Sequence, residues 1–464
     1  MSRRLLLTLA CLTGLSCNDK KPPPGEAPTV VPAASAATTV AVSASAASPP
    51  PAPSGPDKPL NVLLITIDSL RADMPWQGYE RPIAPNLSKL AEQSVVYTQA
   101  YSPAPYTAQT VAAWLSGRYA STLYRAGWFF AAYAKSNTFF TEVLQSKGIR
   151  TLGWHGHMYF GRGKGLDQGF DEWQLAPGIR FDPNTDNEIT SEKLTKLGIE
   201  LLSKPENTSK QFFGWVHYMD PHDQYNKHPE SPDFGNKNRD RYDNEIHHTD
   251  KWIAEFFAWG EKQPWWKNTA IIVTGDHGEA FGEHSMWKHA FEVWEVLVRT
   301  PLLIHVPGVA GKRIDLRRNS IDLAPTIMEL MGQKPLEQFQ GKSMVKEIYG
   351  AEQPDNREPI VVQLTEDSHN PERRGVILGD YKLIVWGKGW KYLLFNLKTD
   401  PGEENDLAKK EPEKLEEMKK VYEKAFEKLP FIEPYGGMKL KGGTTANGPM
   451  APAKAPSDKE NSAP

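Results

Sequence analysis

The chain has 464 residues, with 54 Lys and Arg against 57 Asp and Glu, and a formal net charge of -3. That balance provides no global field to recommend nucleic acid or an anionic membrane surface as a partner, and the length suits either two ordinary domains or one large α/β body with a smaller annex. Its 2 cysteines, Cys11 and Cys17, both lie at the N-terminal end. The body therefore has no disulfide, thiolate nucleophile or zinc–thiolate site.

In chain order, MSRRLLLTLACLTGLSC starts with Arg3 and Arg4, continues as an apolar run and ends in small residues. This is the pattern of a secretory signal, residues 1–17, and it is too short for a spanning helix. Cys17 follows Gly14-Leu15-Ser16 and resembles the lipid-modified cysteine of a bacterial lipoprotein, with Gly14 where leucine is usual. The alternative is an ordinary cleaved signal in which Cys17 is incidental. The expectation is an exported protein, periplasmic or a cell-envelope lipoprotein, tethered to a membrane if Cys17 is lipidated. Residues 18–58, of Pro, Ala, Ser, Thr and Val, bury too little apolar surface to offset chain entropy and read as a flexible linker, as does the tail 436–464.

Between these ends NVLLITID, QFFGWVHYM and NTAIIVTGD are short continuous apolar runs, as expected of strands buried on both faces. PNLSKLAEQS, TAQTVAAWLSG, NTFFTEVLQSKG and YDNEIHHTDKWIAEFFAWG carry apolar residues at helical spacing. Alternating strands and helices predict an α/β/α sandwich with a mostly parallel central sheet over residues 59–357. From Glu358, GVILGDYKLIVWG and KYLLFNL predict a small antiparallel sheet, and EPEKLEEMKKVYEKAFEKL an amphipathic helix, forming a C-terminal subdomain over residues 358–435. There is no internal repeat.

Each of the three buried runs ends at polar residues: Asp68, then His217 with Asp220, then Asp276 with His277. Parallel α/β sheets place their sites outside the carboxyl ends of the strands. Divalent cations want carboxylate oxygen and imidazole nitrogen converging from separate segments, which strand ends along one sheet edge supply. Taken alone, Asp68 reads more readily as a helix cap or turn residue than as a metal ligand, and Thr107 more readily as the N-cap of an apolar helix than as a nucleophile.

NVLLITIDSLRADM, RPIAPNLSKLAEQSVVYTQAYS, APYTAQTVAAWLSGRY, VHYMDPHDQY, VTGDHGEAFGEHSMWKHAFEVWEVLVRTPLLIHVPG and YKLIVWGKGWKYLLFNLKTDPGEENDL follow one another in this order. Over roughly Pro59 to Lys409 the chain resembles the sulfatase family of the alkaline-phosphatase superfamily. The resemblance implies an alkaline-phosphatase-like fold and an ester hydrolase holding one divalent metal ion on Asp68, Thr107, Asp276 and His277. Imidazole at His277 and Ser69 in place of a second aspartate favour zinc or manganese over calcium or magnesium. His222, His284 and Lys288 match positions contacting the transferred group or leaving oxygen, and His155 and His217 match substrate-binding positions.

The departures from the family pattern concern the nucleophile. The formylglycine signature Cys/Ser-x-Pro/Ala-x-Arg is replaced by Thr107, Gln109 and Val111. Oxidising a threonine would give only a ketone, so no formylglycine is expected. A threonine here is what related phosphoglycerol and phosphoethanolamine transferases and nucleotide phosphodiesterases use, as a metal-activated alkoxide. The sequence therefore predicts a hydrolase or transferase of phosphate esters or diesters, acting on a small molecule, glycan or lipid head group. The alternatives are a sulfatase without formylglycine and an inactive module binding an anionic glycan or lipid head group.

Overall fold

The computed structural model describes residues 54–161, 163–179, 188–351, 358–387 and 389–436. The expected signal segment with Cys17, the expected linker as far as residue 53 and the tail from residue 437 lie outside the described residues. All seven residues of strand β1 (Asn61–Ile67) are buried. Val62 and Leu64 enter one core with Trp114, Leu115 and Met328, while Leu63, Ile65 and Ile67 enter a second with Leu197, Ile246 and Phe256. A strand whose alternate residues feed two cores must lie in the middle layer, which makes the body an α/β/α sandwich.

The further strands in chain order are β2 (Val95–Tyr101), β3 (Arg150–His155), β4 (Glu172–Leu175), β5 (Phe212–Tyr218), β6 (Thr269–Gly275), the short pair β7 (Ala280–Phe281) and β8 (Trp287–Lys288), β9 (Arg299–His305) and β10 (Lys312–Asn319). The 8-stranded sheet has the order β10-β2-β9-β6-β1-β5-β3-β4, with β9 antiparallel to both its neighbours and every other pairing parallel. The three apolar runs of the sequence are thus the adjacent central strands β5, β1 and β6, in parallel register with Thr66 opposite both His217 and Thr274. Their carboxyl ends come level at one edge, and there Asp68, His217 and Asp276 meet.

Nine residues of helix Thr107–Ser116 are buried, and Ala108, Val111, Ala112, Trp114 and Leu115 among them enter the first core. It ends at Gly117, whose φ of 62° and close approach to Phe339, where an added Cβ would lie 2.5 Å from Cδ1, leave no room for a side chain. Helices Pro85–Glu92, Ser191–Ser203 and Asn238–Gly260 cover the other face of the sheet.

Strands β11 (Ile360–Leu364), β12 (Arg373–Leu378), β13 (Tyr381–Trp386) and β14 (Lys391–Asn396) form the expected antiparallel sheet, backed by helix Pro412–Glu427. Leu378 pairs with Tyr381 across the two-residue turn Gly379-Asp380, where Gly379 has φ 56°. Among the described residues no helix is long and apolar enough to cross a membrane.

Candidate active site

Thr107 is the first residue of its helix, and Tyr106, the capping residue, makes no side-chain cap. The Thr107 hydroxyl is not spent on its own helix terminus: Oγ1 lies 3.2 Å from Asp68 Oδ2 and 3.2 Å from His277 Nε2. The partial positive charge of the helix N-terminus stands beside that oxygen. Asp68, His217, Asp276 and His277 are fully buried, whereas Thr107 is only partly so, making it the accessible floor of the cluster.

Each acidic group is anchored by neighbouring donors. Asp276 Oδ1 accepts the backbone N–H groups of Ser69 (3.1 Å) and His277 (2.9 Å), leaving its Oδ2 buried without a hydrogen-bond partner and 3.3 Å from His277 Nε2. Asp68 Oδ1 accepts the Ser69 hydroxyl at 2.8 Å, so a hydroxyl donor occupies the place of the family's second aspartate. Ser69 itself takes φ 55°, a tight turn directly after β1.

His217 joins this cluster from β5, with Nε2 3.2 Å from Asp68 Oδ2. Its Nδ1 is 2.8 Å from Thr66 Oγ1, which also receives the Trp215 indole N–H at 2.9 Å and lies 3.1 Å from the Val216 carbonyl oxygen. If Thr66 donates to that carbonyl, it accepts from His217 Nδ1–H, and the Nε2 lone pair is aimed at the cluster.

Burial would raise the pKa of Asp68, but charge from His222, the His217 hydrogen bond and His277 outweigh it and hold the carboxyl well below the usual range. Asp276 moves the other way, raised first by burial and then by the neighbouring charge of Asp68. Burial, followed by the charge of His289, pushes His277 down. Two buried carboxyl groups with one orphaned oxygen, beside imidazole nitrogens and a hydroxyl, are a donor set suited to a divalent cation. Asp68, His217 and Asp276 offer ligand atoms within 4.8 Å of one another.

The remaining positions expected from the sequence are distributed differently. His222 stands near the cluster, its ring 5.1 Å from that of His289 and its Nδ1 2.8 Å from the Asp223 carbonyl oxygen. His284 is stacked on Trp294 with ring centroids 4.0 Å apart, lining a cavity with Arg71 and Glu403. Lys288 is more than half exposed and pairs with Asp223 Oδ2 at 2.6 Å, a rim position. His155 is buried between Phe160 and Trp173 with neither ring nitrogen hydrogen-bonded. The structure does not bring His155, His284 or Lys288 against the Thr107 hydroxyl.

Sequence reasoning passed over His289. Its ring lies 4.2 Å from that of His277, and its Nδ1 is 3.2 Å from both carboxylate oxygens of buried Glu279 and 3.5 Å from Ser69 Oγ. Lys288 and Ala290 on either side of it both have left-handed backbone, φ 68° and 77°. The available signal was adjacency, because His289 follows Lys288 in the same motif. His157 was also missed; burial and then the charge of His222 pull it down to about 4, which places it in the electrostatic reach of the site.

At the lost formylglycine signature, Gln109 and Val111 have structural partners. Gln109 Nε2 donates to Tyr106 Oη (3.0 Å) and Thr365 Oγ1 (2.5 Å), and its Oε1 accepts the Thr365 N–H at 3.1 Å, tying the helix to the segment after β11. Val111 is wholly buried in the first core, where an arginine would bring an uncompensated charge.

The sulfatase family model matches residues 60–333, more than half the chain, and a model described as N-sulphoglucosamine sulphohydrolase, C-terminal, matches residues 282–430. An ulvan-active sulfatase from Formosa agariphila is 24% identical over 403 residues, 76% of this chain and 78% of that protein. The structure of Ps i-CgsB in complex with k-i-k-neocarrahexaose has a TM-score of 0.65 at 21% identity, covering 79% of this chain and 93% of its own. A protein in the alkaline phosphatase superfamily from Vibrio parahaemolyticus has a TM-score of 0.58 at 20% identity, covering 74% and 80%. The chain therefore belongs to the sulfatase family and is an ester hydrolase of the alkaline-phosphatase superfamily.

Proposed function

We propose that the chain is an exported, metal-dependent hydrolase or transferase that attacks the phosphorus of a phosphate ester or diester through Thr107, without formylglycine. The observation that carries this reading is the Thr107 hydroxyl held between Asp68 Oδ2 and His277 Nε2, each at 3.2 Å. One divalent ion, zinc or manganese in preference to calcium or magnesium, would be held by Asp68, Asp276 and His277, with His217 a further donor. Such an ion lowers the pKa of a bound hydroxyl and neutralises charge on the ester oxygens. Thr107 Oγ1 gives up its proton to a cluster base and forms the O–P bond as the bond to the leaving oxygen breaks. His222 and His289, both half-buried with their rings 5.1 Å apart, would return a proton to that oxygen. Water, or an acceptor alcohol in a transferase, then releases the phosphoryl group from Thr107.

A second reading, attack of the same threonine on a sulfate ester, is favoured by membership of the sulfatase family and by the ulvan-active sulfatase among its relatives. A glycan carrying the ester fits both readings, since the Ps i-CgsB structure holds an oligosaccharide. Export to the periplasm or cell envelope, with a tether at Cys17, is proposed from the N-terminal sequence alone.

Turnover of aryl phosphate monoesters, diesters and sulfates by the metal-loaded protein and by Thr107→Ala tests these readings. The phosphorus reading expects phosphate turnover that falls by about 10³-fold or more in the variant. Wild-type rates in Thr107→Ala would overturn the nucleophile, a strong sulfate preference would select the second reading, and no turnover together with no bound metal would support the inactive binding module.

A further inference from the structure

We propose a second divalent-cation site, built from Asp220, His228, Glu245 and His248 and separate from the cluster around Thr107. These residues come from the segment after β5 and from helix Asn238–Gly260, and none takes part in the chemistry above. All four are buried, with exposures of 4%, 4%, 1% and 4%.

Three of their polar atoms, His228 Nε2, Glu245 Oε2 and His248 Nε2, are buried without a hydrogen-bond partner. Each such atom is costly unless something binds it. The gaps between donors are the wrong length for hydrogen bonds: His228 Nε2 lies 3.8 Å from Glu245 Oε1, and His248 Nε2 lies 3.8 Å from Asp220 Oδ2. Two atoms that share one ion at ~2.0–2.2 Å each are separated by roughly 3.2–4 Å, so each of these two pairs has the spacing of two ligands on one metal.

The surrounding contacts orient the donors. His248 Nδ1 lies 2.8 Å from Glu230 Oε1, which puts its proton on Nδ1 and its lone pair on Nε2, the usual outer support of a metal-bound imidazole. The His228 and His248 rings are stacked at 3.7 Å and 12°. Asp220 is fixed by Thr190 Oγ1 (2.6 Å) and the Ser191 N–H (2.7 Å), and Glu245 Oε1 by the Asn226 N–H (2.9 Å). Ligand atoms of His228, Glu230 and His248 also lie within 4.8 Å of one another. Two imidazoles with two carboxylates suit zinc or a similar borderline ion. Asp220 and His228 bracket the loop that carries His222, so an ion here would hold that residue in place beside the reacting ester.

Metal content per chain, measured by mass spectrometry on full-length protein stripped with chelator and reloaded with Zn²⁺, tests the site. Two ions are expected in the wild type, and one each in His228→Ala/His248→Ala and in Asp276→Ala. Added Zn²⁺ should raise the melting temperature of Asp276→Ala through this site. If the double variant fails to fold, Glu245→Gln, which keeps the volume of the side chain, serves instead and should likewise lose one ion. A single ion in the wild type that disappears in Asp276→Ala, or two ions persisting in the double variant or in Glu245→Gln, would overturn the proposal.

Discussion

The Nδ1 atom of His277 lies 2.9 Å from the carbonyl oxygen of Gly278. A carbonyl can only accept, so Nδ1 carries the proton and the Nε2 lone pair faces Thr107 Oγ1 at 3.2 Å. This one backbone contact sets the tautomer required of a metal ligand, with the free Nε2 lone pair turned toward the cluster.

Asp276 and His277 should therefore control metal binding before they affect any later step. In Asp276→Ala and His277→Ala, titration calorimetry should show metal affinity at this cluster reduced by at least about 10-fold to 100-fold. Unchanged affinity in both variants would remove the cluster from the metal assignment.

Lys288 and His289 are neighbours in sequence with different surroundings, one at the rim on Asp223 and the other beside His277. His289→Ala is expected to lower kcat by about 10²-fold to 10⁴-fold, the range for loss of a proton-transfer group. Lys288→Ala, which breaks a half-exposed ion pair, is expected to change kcat far less. Steady-state kinetics on the two variants decides between them, and the reverse ranking would restore Lys288 as the group at the reacting oxygen.

His155 should make the fold sensitive to acid. Burial and then His217 pull its pKa down to about 3, against 6.5 in its unperturbed state. Below 6.5 the unfolded chain binds a proton that the folded chain refuses, so stability is complete above that pH. It declines as pH falls toward 3, by at most about 1.4 kcal/mol per pH unit. In urea titrations at several pH values, His155→Phe, which removes two unpaired ring nitrogens, should flatten this slope. An unaltered slope would place the acid sensitivity elsewhere.

Gln109 predicts a structural penalty rather than a catalytic one. Gln109→Ala leaves the buried Thr365 N–H without its acceptor, which costs about 1–3 kcal/mol in chemical denaturation. Val111→Arg, one step toward the formylglycine signature, should destabilise more strongly, because it puts a charge into a fully buried apolar position. A stable, folded Val111→Arg protein would show that the core has room for the family's arginine.

The sequence alone determined the three central strands, the polar residues at their ends, the C-terminal hairpin and the incompatibility of Thr107, Gln109 and Val111 with formylglycine. These features are local: an apolar run marks a strand buried on both faces, and the identity of a side chain limits its chemistry wherever it sits. Only the tertiary structure decided which side chains converge. His217 reaches Asp68 because β5 lies directly beside β1 in parallel register, and strand order is not written in any one segment. His289 reaches His277 while Lys288 turns to the rim because Lys288 and Ala290 take left-handed backbone. That conformation is rare for residues other than glycine, so periodicity could not anticipate it. The pairing of His228 with His248 likewise depends on the loop after β5 folding back onto the helix Asn238–Gly260, a long-range contact with no sequence period.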